Sequence, residues 1–401
     1  MKSNEGIVYE VSKSLDRILD LDKNKLNISV LLAVSGGSDS SCLMYVLNSI
    51  KDKYNMSISL AHVNYNGKKS SDMEKLCVYF SKKFNLPLYI KNVRIDRSSN
   101  FESIARLIRY NFFNSLSVEH SFDYIATAHH SLDQIETLYM KDQDKADWIS
   151  MAGIRFKSEK LIRPMLFTDK RDIDSYIDEN KIEWILDSSN KNTNIRRNYI
   201  RKYIMPDLLK SSPDYIKSLY DVSKRSSIRM EKLINRVNQF ISKYVTGNSY
   251  FVCVSKKKIN SYSRTELKFL IQQIITKKMN QTNIYHSQKY WMNLYSFLIH
   301  SSPGKKFILR ESIEIVNDRD NFFIIDNRFN NNDRKISLRD KLKWRNSEFN
   351  VSAVQNFKKA KLKDYIIVSK NIIDEGVYVR SWAHGDRIIT HSGHNIKVKK
   401  L

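Results

Sequence analysis

The sequence predicts an α/β fold: a parallel, Rossmann-like sheet followed by smaller α/β or α+β domains. Three observations carry that expectation. A run from Ile28 to Val34 is apolar at nearly every position, as a parallel strand buried on both faces should be. Helix and strand patterns then alternate to about residue 128, the order that a parallel sheet with crossover helices produces. Polar clusters fall at the carboxyl ends of three of those strands, at Ser35–Ser40, His62–Asn64 and His129–Glu136. Open α/β sheets bind ligands at such ends.

In chain order, residues 1–24 read as an amphipathic helix with Ile7, Val8, Val11, Leu15, Ile18 and Leu19 on one face. After the strand Ile28–Val34 and a small-residue turn, Leu43, Met44, Val46, Leu47 and Ile50 have the spacing of one helix face. Strands are expected at Met56–Val63, Leu88–Val93 and Tyr124–Ala128, separated by helices at Asp72–Phe84 and Phe101–Leu116. A helix opens near Ser131, and Thr168 is placed to N-cap another over Asp169–Asn180. The basic stretch Arg196–Arg201 is closed by Pro206. The organisation expected is a first domain over 1–210, a helical linker over 211–245, a middle domain over 246–328 and a β-rich last domain over 335–401. In the middle domain we expect a strand at Tyr250–Val254, helices at Ser263–Lys278 and Ser287–His300, and a hairpin through Arg310–Ile325. Asn327–Arg334 reads as a polar linker, and Asp364–Val368 and Gly376–Arg380 read as β structure.

Composition narrows the function classes. No segment reaches the ~18 consecutive apolar residues of a membrane span, and residues 1–5 have no apolar run suited to a signal peptide. The three cysteines, Cys42, Cys77 and Cys253, form no close pair, which argues against a disulfide framework and for a reducing cytoplasm. The formal net charge of +25 points to a polyanionic partner, nucleic acid above all.

Two motifs carry the chemistry. In Ser35-Gly36-Gly37-Ser38-Asp39-Ser40, a strand, a small-residue turn and a helix N-terminus make an anion cradle: glycine lets the backbone approach, and first-turn N–H groups face the ligand. The Lys-Ser/Thr pair of the P-loop is missing. Asp39, an acid beside a phosphate site, calls for a metal ion, which makes it the Mg²⁺ ligand of choice. In Thr127–Thr137, Asp133 and Glu136 lie three apart on one helix face, where their repulsion is relieved by a Mg²⁺ or an ammonium group between them. Zinc is disfavoured, since no cysteines or further histidines lie at ligand spacing. Arg106 and Arg109 share a helix face and suit phosphate clamping.

Ser-Gly-Gly-x-Asp-Ser resembles the pyrophosphate loop of the ATP pyrophosphatase superfamily. With His62-Val63-Asn64, Glu102–Tyr110, His129–Thr137, Asp187–Asn190 and Arg197–Arg201, the chain is similar to the tRNA(Ile)-lysidine synthetase family over about 28–210. The likeness continues weakly at Pro303–Arg310 and returns at Arg380 and Gly385–Ile388, the start of a last domain that in the family runs on past a Lys-rich strand such as Lys397–Leu401. The chain is therefore expected to be truncated there or to carry a shortened form of that domain.

The resemblance implies a cytoplasmic two-step ligase whose partners are a tRNA(Ile) with a CAU anticodon and free L-lysine, and it admits a homodimer. The co-substrate is ATP, with Mg²⁺. Ser35, Gly36, Gly37, Ser38, Asp39 and Ser40 would bind ATP, and Arg109 and His129 would steady the activated base. Asp133 and Glu136 would hold the lysine ammonium, and Arg197, Asn198 and Arg201 would meet the substrate. Three positions depart from the family pattern: Leu132 in place of a usual aspartate, Tyr65 in place of a histidine, and Lys141–Trp148 in place of a Gly/Arg-rich stretch. The other readings are a base thiolase of the same superfamily, or a non-catalytic RNA-binding relative.

Overall fold

The computed structural model describes residues 2–21, 27–66, 68–95, 101–186, 192–279, 287–310 and 312–329, and short strands between 336 and 397. The chain divides into two compact units, Met1–Lys232 and Leu233–Leu401.

In the first unit, a helix α1 (Lys2–Leu21) precedes strand β1 (Ile28–Ala33). Helix α2 (Ser38–Ile50), strand β2 (Met56–Asn64), helix α3 (Lys68–Phe84) and strand β3 (Leu88–Asn92) follow. Then come α4 (Phe101–Glu119), β4 (Tyr124–Ala126) and α5 (Ser131–Gln143). A short hairpin, β5 (Lys157–Ser158) and β6 (Leu161–Ile162), leads into α6 (Lys170–Glu179). The six strands are ordered β3-β2-β1-β4-β6-β5 and are parallel except for the β5–β6 pair. The sheet thus reverses direction between β1 and β4, and that switch point opens a crevice at the strands' carboxyl ends.

Both faces of the sheet are covered, which is why β1 is apolar at almost every position. Val30 and Leu32 enter a core with Ile7, Val11 and Leu15 of α1, Leu43 and Leu47 of α2 and Ile173 and Ile177 of α6. Leu31 points to the opposite face, with Phe113 and Leu116 of α4. Asp169, not Thr168, caps α6: its side chain accepts from the Arg171 N–H. Thr168 is buried instead, in the turn whose carbonyl accepts from Ser131 N–H.

After a helical turn α7 (Arg196–Tyr199), a π-helical turn (Ile200–Ile204) and α8 (Met205–Ser211), helix α9 runs from Pro213 to Tyr244. The second unit contains β7 (Val245–Gly247), β8 (Phe251–Ser255), α10 (Arg264–Met279) and α11 (Gln288–His300). They are followed by β9 (Lys306–Arg310), β10 (Ile313–Asn317) and β11 (Asn321–Asp326). These strands form an antiparallel sheet ordered β7-β8-β11-β10-β9, so the expected hairpin is two arms of a three-strand meander. Val252, Val254, Ile313, Ile315, Phe322 and Ile324 are buried at alternate positions, the period of a sheet covered on one face. Val377–Val379, within the expected β segment Gly376–Arg380, pairs with Ile336–Leu338. The segment 364–368 and the linker from residue 330 to 335 lie outside the described residues.

Leu32 is fully buried in the central strand, so Leu32→Ala should cost about 2–5 kcal/mol. Val118, 78% exposed on α4, should tolerate Val118→Ala within about 0.5 kcal/mol. Urea-unfolding midpoints of the two variants check this ordering.

Candidate active site

The loop after β1 is built around Gly36. Its φ of +84° is the left-handed conformation, and a Cβ there would stand 3.0 Å from the Met73 Cβ of α3. The turn is tied internally: Ser40 Oγ accepts from Ser35 N–H (3.1 Å) and donates to the Gly37 carbonyl (3.1 Å). Ser35 Oγ in turn accepts from Gly37 N–H at 3.2 Å. His62, buried at the end of β2, holds the Val34 carbonyl with Nδ1 at 2.9 Å. No side chain caps α2 at Gly37, so the macrodipole end of that helix faces the crevice.

Asp39, in the first turn of α2, is met by one side chain from the turn after β4 and one from the first turn of α6. Lys170 Nζ lies 2.5 Å from its Oδ1, and His130 Nε2 lies 3.6 Å from its Oδ2. Burial by itself would raise the Asp39 pKa. The adjacent His130 ring and the Lys170 charge overcome that and hold it far below the usual carboxylate range. The same His130 Nε2 lies 3.6 Å from Asp133 Oδ2, so one imidazole stands between the two acids.

Asp133 and Glu136 do share one face of α5, as their spacing requires. The cations between them belong to the chain itself. Arg197 donates through Nε to Glu136 Oε2 (2.8 Å) and through Nη2 to Asp133 Oδ1 (2.9 Å). Arg201 donates through Nε to Glu136 Oε1 (2.5 Å) and through Nη2 to Asp133 Oδ1 and Glu136 Oε2 (both 2.9 Å). Glu136 is completely enclosed, whereas the Asp133 side chain keeps 14% of its surface exposed. Burial raises the Asp133 pKa, but the neighbouring His130 ring and the Arg197 and Arg201 guanidinium groups outweigh it and keep the group ionised. Asn198, on the same turn, donates through Nδ2 to the Asn192 carbonyl at 3.0 Å.

His129 follows β4 and shares a 3.0 Å hydrogen bond, through Nδ1, with Thr127 Oγ1. Burial and then the Arg163 guanidinium drive its pKa well below that of an ordinary imidazole, so the ring is neutral at pH 7. Arg163, buried just beyond β6, gives Nη1 to the Arg155 carbonyl, and its Nε is a buried donor with no hydrogen-bond partner. Arg106 and Arg109 are exposed on α4: Arg106 lies over the Tyr110 ring at 4.8 Å, and Arg109 stands beside the Tyr65 hydroxyl. Asp187–Asn190 lie outside the described residues.

Each departure from the resemblance has a local use. Leu132 packs with Ile135, Ile200 and Ile216, helping to seat the arginine-bearing turns on α5. Tyr65 donates from its hydroxyl to the Ala105 carbonyl at 3.2 Å. In the replaced stretch, the Trp148 ring lies 3.9 Å from the Arg229 guanidinium.

Sequence reading missed Lys170, His130 and Arg163. Lys170 carried a signal: it is a cation in the first turn of a helix, the end where the dipole disfavours one. His130 lay within the flagged cluster His129–Glu136, but its place between two acids, like the role of Arg163, arises only from the adjacency of β1, β4 and β6.

Mg²⁺ prefers one or two carboxylates together with phosphate oxygens and water. Asp39 at the phosphate cradle fits that pattern. A cage made wholly by protein does not, since no group of three or more His, Cys, Asp or Glu that could hold a metal occurs among the described residues.

A parallel sheet with an uncapped, glycine-turned helix N-terminus at its switch point defines a nucleotide-binding α/β domain. Residues 10–208 match the PP-loop domain family, to which the chain belongs. It is 26% identical over 362 residues to the tRNA(Ile)-lysidine synthase of Clostridium tetani, covering 88% of this chain and 76% of that protein. With the tRNA(Ile)-lysidine synthase of Persephonella marina it shares 30% identity over 292 residues, covering 70% of this chain and 61% of that protein. The chain spans about half the length of the Streptococcus pyogenes tRNA(Ile)-lysidine synthase (50%), with 32% identity over 227 residues. Among solved structures, a U34-tRNA thiolase from Methanococcus maripaludis superposes with a TM-score of 0.48 at 20% identity, covering 57% of this chain and 80% of that one.

The state of His129 sets a pH dependence. Its folded-state pKa lies below its unfolded value of 6.5, so as pH falls below about 6.5 the unfolded chain takes up a proton that the folded chain refuses. Stability should therefore fall with pH in that range, by at most about 1.4 kcal/mol per pH unit from this group. Urea unfolding at pH 7.5 and 5.5 should show the loss, and His129→Gln should diminish it.

Proposed function

We propose that this chain is an ATP-dependent ligase that joins lysine to the wobble cytidine of the CAU anticodon of tRNA(Ile), making lysidine. The observation that carries the reading is the His130 ring between Asp39 and Asp133, 3.6 Å from each carboxylate. It sets a phosphate-facing acid and an acceptor-facing acid side by side at one switch point, which suits a reaction that activates a base and then substitutes it in place. Membership of the PP-loop family supports the use of ATP, and the likeness to tRNA(Ile)-lysidine synthases supports the acceptor.

In the first step the base carbonyl oxygen attacks the α-phosphate and pyrophosphate leaves. The N–H groups of the Ser35–Ser40 turn would receive the growing negative charge. Asp39 would hold Mg²⁺, which neutralises phosphate charge when bound. The neutral His129 ring can hydrogen-bond the activated base without adding a charge, while Arg163 beside it supplies the fixed positive field. Arg109, on the rim, would reach the tRNA backbone.

In the second step the lysine amine attacks the activated carbon and AMP leaves. Glu136 has both oxygens engaged by Arg197 and Arg201, so it serves by fixing those guanidinium groups. Asp133 is the carboxylate that meets the lysine ammonium. The cytidine must be drawn out of the anticodon stack to enter the crevice. The second unit and the overall charge of +25 would provide the tRNA-binding surface.

A thiolase reading is less well supported. The three cysteines are free, Cys42 and Cys77 are buried in helices, and burial pushes both thiols up to about 12.

Incubating the chain with tRNA, ATP and lysine and analysing the nucleosides by mass should show a cytidine enlarged by one lysyl group. An unchanged cytidine, or a thiolated base, would reject the assignment. Asp133→Asn should raise the lysine concentration needed by roughly 10- to 150-fold and let adenylated tRNA accumulate. Absence of that intermediate would move Asp133 to the nucleotide half of the reaction.

A further inference from the structure

Lys170 opens α6, where the positive end of the helix dipole opposes a cation, yet it is the basic side chain nearest the PP-loop acid. Its Nζ lies 2.5 Å from Asp39 Oδ1, 2.8 Å from Asp174 Oδ1 and 3.3 Å from Ser38 Oγ. The pair is not sealed into the core: the Lys170 and Asp39 side chains keep 27% and 35% of their surface exposed. A lysine needed only to stabilise α6 would be satisfied by Asp174, four residues along its own helix. Instead the ammonium reaches across to the first turn of α2, into the anion cradle, and holds the acid there. Lysine suits such a position because it is a compact charge on a flexible stem that can change partners.

We propose that Lys170 is a catalytic residue of the pyrophosphate-releasing step: it holds Asp39 until the triphosphate arrives and then gives its hydrogen bonds to the β- and γ-phosphate oxygens. The inference rests on reading the cradle as a pyrophosphate-releasing ATP site. In that step a bond forms from the base carbonyl oxygen to the α-phosphorus. The bond to the bridging oxygen breaks, and its electron pair stays on the departing pyrophosphate. Lys170 stabilises that charge with no net proton transfer, and Asp39, released from the ammonium, is free to take a divalent cation. Lys170 has no part in the attack by lysine, since pyrophosphate has left by then.

The test uses the full chain with inorganic pyrophosphate and AMP as separate calorimetric probes. Lys170→Met should weaken pyrophosphate binding on the order of 10- to 100-fold and leave AMP binding unchanged. Lys170→Arg should retain most of the pyrophosphate affinity. Pyrophosphate binding by Lys170→Met equal to that of the unaltered chain would overturn the inference while leaving the ATP reading intact. Recovery of that binding in Lys170→Met with Asp39→Asn would also overturn it, because Lys170 would then act only by neutralising Asp39. An unaltered chain that binds neither ATP nor pyrophosphate would overturn both readings. Acetylation mapped by mass spectrometry gives a check on the unaltered chain, free of any folding defect in a variant. Pyrophosphate, but not AMP, should change the labelling of Lys170, and identical labelling with both would count against the contact.

Discussion

The site depends on keeping negative charge in a desolvated crevice. Asp39, Asp133 and Glu136 converge there, and burial alone would drive carboxylates toward their neutral forms. Asp39 and Asp133 stay ionised because Lys170, Arg197, Arg201 and the His130 ring hydrogen-bond them or stand against them, and Glu136 is enclosed by the same two arginines. The same contacts tie together elements far apart in sequence. The turns of residues 196–204 are pinned to α5 by five hydrogen bonds from Arg197 and Arg201 to the Asp133 and Glu136 carboxylates, and the first turn of α6 is pinned to α2 by one lysine. Removing one member would leave its buried partners uncompensated, a far larger cost than the loss of an exposed ion pair.

The arrangement also divides the crevice by charge mobility. Arg197 and Arg201 are planar forks held at fixed geometry by two acids each, suited to a permanent wall. Lys170 is a single flexible ammonium on a partly exposed acid, suited to exchange. One half of the crevice is thus rigid and charge-balanced, and the other can admit a polyanion by releasing a cation. That asymmetry matches a reaction in which the nucleotide's phosphates come and go at one end while the acceptor must be held in register at the other.

Aromatic and aliphatic packing serves this electrostatic core. Leu132, Ile135, Ile200 and Ile216 form a small apolar cluster beneath the arginines, which fixes the direction in which the guanidinium groups project. The π-helical turn at Ile200–Ile204 lies in the same stretch and carries Arg201. Such turns insert a residue into a helix and re-aim a side chain. On β1, alternate residues enter the two cores on either side of the sheet, so the PP-loop is anchored at a strand that cannot shift without disturbing both.

The sequence by itself determined the strand that carries the loop, the glycine turn, and the sharing of one helix face by Asp133 and Glu136. Each of these is local: apolar runs, the φ of a glycine and the 3.6-residue period are properties of a few neighbouring residues. Local rules also went astray at Thr168, where Asp169 competes successfully for the cap, and at the hairpin that proved to be a meander. Tertiary structure decided what neutralises the acids. Spacing showed that Asp133 and Glu136 needed a cation between them, and it left open whether a metal, a substrate or the protein would supply it. Arg197 and Arg201 lie 61 and 65 residues from Glu136, and Lys170 lies 131 from Asp39. Contacts at that separation follow from strand order and helix packing, which no short stretch of the chain encodes.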